Sequence, residues 1–150
     1  MNFYSLFLFI ALSLFGDQQK HFVSFIDAEV LIVKEKDILK VTLPFTIEEE
    51  YHIQAASEVL DNLIATEISF EQNGSFEIES FEFSLTNYDT VVLNEFTHRV
   101  LSDRVEVTVT LRLKGKNAKK NNELKGELYY QACDDQRCFF PRNLAFIVDL

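Results

Sequence analysis

At 150 residues the chain has the length of one domain, and 14 basic against 24 acidic side chains leave a formal net charge of −10. That balance argues against a nucleic-acid partner or an anionic-membrane surface. A hydrophobic fraction of 47% excludes a disordered chain, and two Cys exclude a disulfide-dense mini-protein. The sequence carries no CxxC pair, no HExxH, no glycine-rich phosphate loop and no Ser-His-Asp ordering, so it asks for no metal and no cofactor.

Residues 3–15 (FYSLFLFIALSLF) form an uncharged apolar run of 13 residues. A membrane-spanning helix needs about 20. The run fits the apolar part of a secretory signal peptide, with small residues around Ala11, Ser13 and Gly16 offering cleavage sites, although Met1 and Asn2 bring no basic side chain. The expected organisation is a signal peptide over 1–16 and one domain over 17–150. Export would place the two cysteines in an oxidising compartment.

Beyond that run the chain reads as strands. Leu39, Val41, Leu43 and Phe45 alternate with Ile38, Lys40, Thr42 and Pro44. Val105, Val107, Val109, Leu111 and Leu113 alternate with Glu106, Thr108, Thr110, Arg112 and Lys114. Period two over such lengths predicts strands with one face on a core. Leu128, Tyr130 and Ala132 continue the pattern, as do Leu144, Phe146 and Val148. Shorter strands are expected at 28–33, 51–54, 65–71, 76–85 and 90–93, with turns at 72–75 and 86–89 and one helical turn within 55–63. The lysine-rich residues 114–125 also contain Asn117, Asn121 and Asn122, which predicts a solvated hairpin loop rather than a basic patch. His21, His52 and His98 are scattered, with no metal-binding spacing. Many short strands without intervening helices predict an all-β, immunoglobulin-like antiparallel β-sandwich.

The cysteines stand out. A strand ends at Cys133, four polar residues turn, and the next strand begins at Cys138. One hairpin brings such side chains within the roughly 5.5–6 Å Cα separation a disulfide prefers. As a staple the bond adds little: closing about six residues is worth roughly 2 kcal/mol, against about 4.7 for a 100-residue loop. A short exposed bond is also easy for a partner thiolate to reach. Spacing alone leaves both a structural and a redox bond open.

The segment Gly126-x-x-x-Tyr130-Gln131-Ala132-Cys133-Asp134-Asp135-x-x-Cys138-x-x-Pro141, followed by an apolar strand, resembles the amino-terminal domain of the thiol:disulfide interchange protein DsbD. Tyr51-His52-Ile53 resembles that family's aromatic-His-Ile segment, and Asn94-Glu95-Phe96 the tip of its cap loop. Gln54 stands where relatives often place a Tyr, and Asn94 where an Asp is common. The resemblance implies an exported periplasmic domain that passes reducing equivalents by thiol–disulfide exchange, with Cys138 attacking or attacked in the mixed disulfide and Cys133 resolving it. It also implies a lid made by the cap loop, with Phe96 over the bond. The implied partners are a thioredoxin-like domain and a membrane electron transporter, here as separate chains, and a periplasmic disulfide isomerase or a thiol protein of cytochrome c maturation. A monomer is expected. Around the thiols, Asp134 and Asp135 disfavour a thiolate and Arg137 partly offsets them, without the helix N-terminus that lowers a thioredoxin thiol pKa. The competing possibility is an exported immunoglobulin-like binding module whose hairpin disulfide is purely structural.

Overall fold

The computed structural model describes residues 21–57, 59–84, 88–93, 95–115 and 122–150. In chain order the first strands are β1 (Val23–Phe25), β2 (Leu31–Glu35), β3 (Ile38–Ile47), β4 (His52–Gln54), β5 (Glu67–Phe70) and β6 (Phe76–Phe83). They are followed by β7 (Tyr88–Leu93), β8 (Phe96–Leu101), β9 (Arg104–Leu113), β10 (Glu123–Tyr130), β11 (Ala132–Cys133) and β12 (Arg142–Asp149). A 3-10 turn, Asp27–Glu29, lies between β1 and β2.

Every strand pairing is antiparallel, as hairpin-rich all-β sequences favour. One sheet runs β1-β3-β9-β6, with β2 sharing the β1 edge of β3; a second runs β12-β10-β5; a third runs β11-β4-β8-β7. The two longest alternations face each other: Leu39 pairs with Leu111, Val41 with Val109, Leu43 with Val107 and Phe45 with Val105. All eight side chains are buried. Slipping this register by one residue would turn the whole apolar set to solvent, so the pattern itself holds the pairing.

Aromatic side chains join the first sheet to the second. The ring of Phe146 on β12 lies 5.6 Å from Phe45 on β3 and 5.3 Å from Phe25 on β1. Opposite Phe146 on β10 sits Gly126. A Cβ there would come 2.6 Å from the Phe146 ring and 2.4 Å from the Ser69 carbonyl oxygen, so the close approach of β5, β10 and Phe146 requires glycine.

The immunoglobulin-like all-β sandwich expected from the sequence is the architecture found. Local boundaries differ in instructive ways. The strand expected at 28–33 is shortened by the 3-10 turn and begins at Leu31. The helical turn expected within 55–63 is replaced by irregular turns among the described residues. The nearby backbone donors go elsewhere: Ala55 N–H to Arg99, Thr66 N–H to Ala55 and Ile64 N–H to the Gln131 side chain. Tyr88 and Asp89, expected in a turn, open β7. The expected signal peptide lies outside the described residues, as do 116–121 of the lysine-rich loop. Among the described residues, no helix is long and apolar enough to cross a membrane.

Candidate functional site

The alternation that runs through Leu128, Tyr130 and Ala132 conceals a change of sheet. β10 pairs with β12 as far as Tyr130 opposite Arg142. Two residues later the chain has joined β4, with Ala132 opposite Ile53 and Cys133 opposite His52. Gln131 makes the crossing. Its carbonyl accepts from Gln54 N–H at 3.3 Å, its Oε1 accepts from Ile64 N–H at 2.9 Å, and its Nε2 donates to the Phe139 carbonyl at 3.2 Å. One side chain thereby ties the cysteine hairpin to the loop before β5.

Cys133 and Cys138 form a disulfide with their Cα atoms 3.9 Å apart. That is closer than the general range used above, and the ladder explains the direction. Phe139 N–H donates to the Ala132 carbonyl at 2.8 Å and Asp134 N–H to the Arg137 carbonyl at 2.9 Å. These bonds flank the cysteines, which therefore face each other as a non-hydrogen-bonded pair, the closer of the two antiparallel pairings. Asp134 closes the turn. Its Oδ1 accepts from the N–H groups of Gln136 and Arg137, both at 2.8 Å. Those two bonds, Gln136 first, hold its carboxyl below the usual range, with the Arg137 charge adding to the effect. The Arg137 guanidinium lies 4.9 Å from the Phe139 ring centre. Asp135 is exposed.

The two sulfur-bearing residues are not equivalent. Cys133 is 0% exposed, whereas Cys138 is only partly covered. Beside Cys138 opens a cleft of about 370 Å³ lined by Gln131, Arg137, Phe139, Phe140, Pro141 and Arg142. Phe140, 86% exposed, stands at its rim. The Phe22 ring lies 4.7 Å from both Tyr51 and Phe139 at tilted angles, which holds Phe139 against the core.

On the buried side the sulfur meets polar groups. Gln54 is 1% exposed and its Nε2 donates to Cys133 Sγ at 3.2 Å. Its Oε1, also buried, has no hydrogen-bond partner among the described residues. His52 is buried, and that burial pushes its pKa below the ordinary imidazole value; the His98 charge adds to this, while Asp135 and Asp134 oppose it. His98 is buried as well.

Of the residues singled out in sequence, the structure brings Cys133, Cys138, His52, Gln54, Asp134, Asp135 and Arg137 into or around the hairpin. Tyr51 reaches it through Phe139. Tyr130 points into the core, where its hydroxyl accepts from Phe22 N–H at 3.3 Å and burial raises its pKa. Glu95 sits in the β7–β8 turn with φ of 71°, and Phe96 opens β8 with 61% of its surface exposed. Phe96 is therefore not a core side chain. Asn94 lies outside the described residues. Sequence reasoning named Gln131 only as part of the cysteine segment and passed over Phe139, Phe140 and Arg142. Phe139-Phe140, two consecutive aromatics directly after a cysteine, break the period-two pattern and were the available signal.

No family model matches the chain, and no curated protein does. Among solved structures, it is similar to the N-terminal periplasmic domain of ScsB from Proteus mirabilis, with a TM-score of 0.58 and 13% identity over 80% of this chain. The match covers 44% of the ScsB chain, so this protein spans less than half of that structure's length. A second similar structure is the Neisseria meningitidis DsbD N-terminal domain in its reduced form, with a TM-score of 0.49 and 16% identity, covering 83% of this chain and 84% of that one. The likeness to the ScsB domain is one of fold.

Proposed function

We propose that the domain is a thiol–disulfide exchange module, exported to the periplasm, that carries reducing equivalents on the Cys133–Cys138 pair. The observation behind this is the asymmetry of the bond: one sulfur buried on a polar floor, the other beside an open cleft rimmed by an aromatic side chain. An incoming thiolate reaches Cys138 along the cleft, a mixed disulfide forms there, and Cys133 becomes the leaving and later resolving thiol. Arg137 and Arg142 line the same cleft, giving a locally basic approach in a strongly acidic chain. A thioredoxin-like donor fed by a membrane electron transporter, and periplasmic acceptors such as a disulfide isomerase or a cytochrome c maturation thiol protein, are the partners this role implies. The likeness in fold to a periplasmic domain supports that location. In the same proposal the β7–β8 hairpin, carrying Glu95 and Phe96, is the lid that a partner displaces.

A purely structural bond is disfavoured by the hydrogen bonds flanking the cysteines, which already close the hairpin without it. The deciding experiment is trapping. Cys133→Ser leaves the accessible Cys138 thiol without its resolving partner and should accumulate a reductant-sensitive covalent complex with a thioredoxin-like protein. Cys138→Ser should trap far less, because Cys133 is buried. Equal trapping would overturn the roles, and none with either variant would favour the structural bond.

A further inference from the structure

The exchange reaction creates a difficulty at Cys133. When a partner thiolate attacks Cys138 Sγ, the new S–S bond forms there, the Cys133–Cys138 bond breaks, and its electron pair departs on Cys133 Sγ. That sulfur belongs to a residue with no exposed surface, where desolvation disfavours a thiolate. A proton taken up from solvent then converts it to a thiol. In the second half of the cycle, another partner thiol attacks the partner sulfur of the mixed disulfide and releases Cys138, leaving a protein dithiol and a partner disulfide.

Gln54 lies against that sulfur. Resting on the exchange reading above, we propose that Gln54 is a catalytic residue that stabilises the departing Cys133 sulfur. Its Nε2–H already points at Cys133 Sγ from 3.2 Å, so the donor is in place before charge develops. A disulfide sulfur is a weak acceptor and a thiolate a strong one, so the same bond strengthens as the S–S bond breaks, which is the condition for accelerating the step. The Gln54 Oε1 supplies the other half. It is a buried acceptor with no partner among the described residues while the bond is oxidised. Once Cys133 is a thiol, its S–H is a new donor beside that amide, and rotation of the amide presents the oxygen to it. Burying a half-satisfied amide against a disulfide costs stability in a domain with ample apolar side chains, and a role in exchange accounts for its position.

The backbone holds the amide there. Gln54 N–H is anchored on the Gln131 carbonyl, the Gln54 carbonyl accepts from the Thr66 hydroxyl at 2.5 Å, and Val100 stands opposite Gln54 on β8. Neither contact depends on the side chain, so removing the amide should spare the local fold.

The test uses the full chain and a small dithiol, dithiothreitol, as the probe. Gln54→Met keeps the length and loses donor and acceptor. Reduction should slow by about tenfold, the usual worth of a hydrogen bond to a charged group. In a Cys138→Ser background, ultraviolet absorbance of the Cys133 thiolate should rise only at higher pH when Met replaces Gln54. An unchanged rate together with an unchanged titration overturns the proposal. Should Gln54→Met misfold, Gln54→Glu serves. Its carboxyl donates while protonated and repels a thiolate once ionised, so its rate relative to the parent should fall as pH rises, and a constant ratio overturns the proposal. None of these measurements uses a protein partner. Failure of the exchange function would show in the trapping experiment, and failure of the Gln54 role only here.

Discussion

The stem and the tip of one hairpin obey different physics. In the stem, β10 and β12 pair over eight residues, from Glu123–Asp149 to Tyr130–Arg142, and the inward side chains are locked against the sheet above. In the tip, the chain leaves that sheet at Gln131, and two backbone hydrogen bonds, the Asp134 turn and one disulfide hold six residues together. Buried area dominates along the stem, whereas hydrogen bonds and a disulfide close the turn of the tip. The difference teaches where each property resides: damage to the stem should appear in stability and damage to the tip in exchange.

The largest effect should come from the stem. Phe146 is 3% exposed and its ring meets Phe25, Phe45 and Phe70. Phe146→Ala should cost about 3–5 kcal/mol in urea unfolding. The folded fraction should still exchange with dithiothreitol at the parent rate. A loss below about 1 kcal/mol would mean that this cluster does not join the sheets.

Breaking the tip should cost less. Reducing the Cys133–Cys138 bond removes closure of a short loop, worth about 2 kcal/mol. The reduced domain should stay folded, with a urea midpoint only modestly lowered. Unfolding on reduction would erase the contrast between stem and tip and make the bond a staple.

Acid should sharpen the comparison further, because His52 underlies the tip and not the stem. Burial lowers its folded pKa, so on acidification the unfolded chain takes up a proton that the folded chain resists. Stability is therefore fully present above the unfolded imidazole value of about 6.5 and declines as pH falls below it. Urea midpoints measured at about pH 7.5 and about pH 5.5 should differ less in His52→Gln than in the parent. An identical difference in both would place the acid sensitivity elsewhere.

How much of this was legible in the sequence follows the same division. The stem and the β3–β9 pair were readable because one buried face imposes period two on every residue. The turn between the cysteines was readable from its residues, but the strand expected to begin at Cys138 is only an isolated bridge to Cys133, and β12 opens at Arg142. The crossing at Gln131 was not, since Leu128, Tyr130 and Ala132 keep their alternation through a change of sheet. β8 escaped notice because its buried positions, His98, Val100 and Leu101, include a histidine where periodicity looks for an apolar side chain. The unequal burial of the two cysteines, and the contact of Gln54 with a sulfur 79 residues away, depend on β4 lying against β11. Local pattern does not encode which strands become neighbours.

The smallest stability effect belongs to Phe96, at the start of β8 and opposite Leu93 across the turn. A ring 61% exposed contributes little burial, so Phe96→Ala should move the urea midpoint by less than about 0.5 kcal/mol. Its expected effect lies in kinetics. A ring that closes over the Cys138 side of the bond would block small thiols and lower the dielectric around a developing thiolate, both of which slow reduction. Removing it should then speed reduction by glutathione severalfold. If the proposed thioredoxin-like partner displaces the hairpin on docking, reaction with it should change less. An unchanged glutathione rate would mean that Phe96 stays in solvent, and the protection of the bond would then rest on the burial of Cys133 alone.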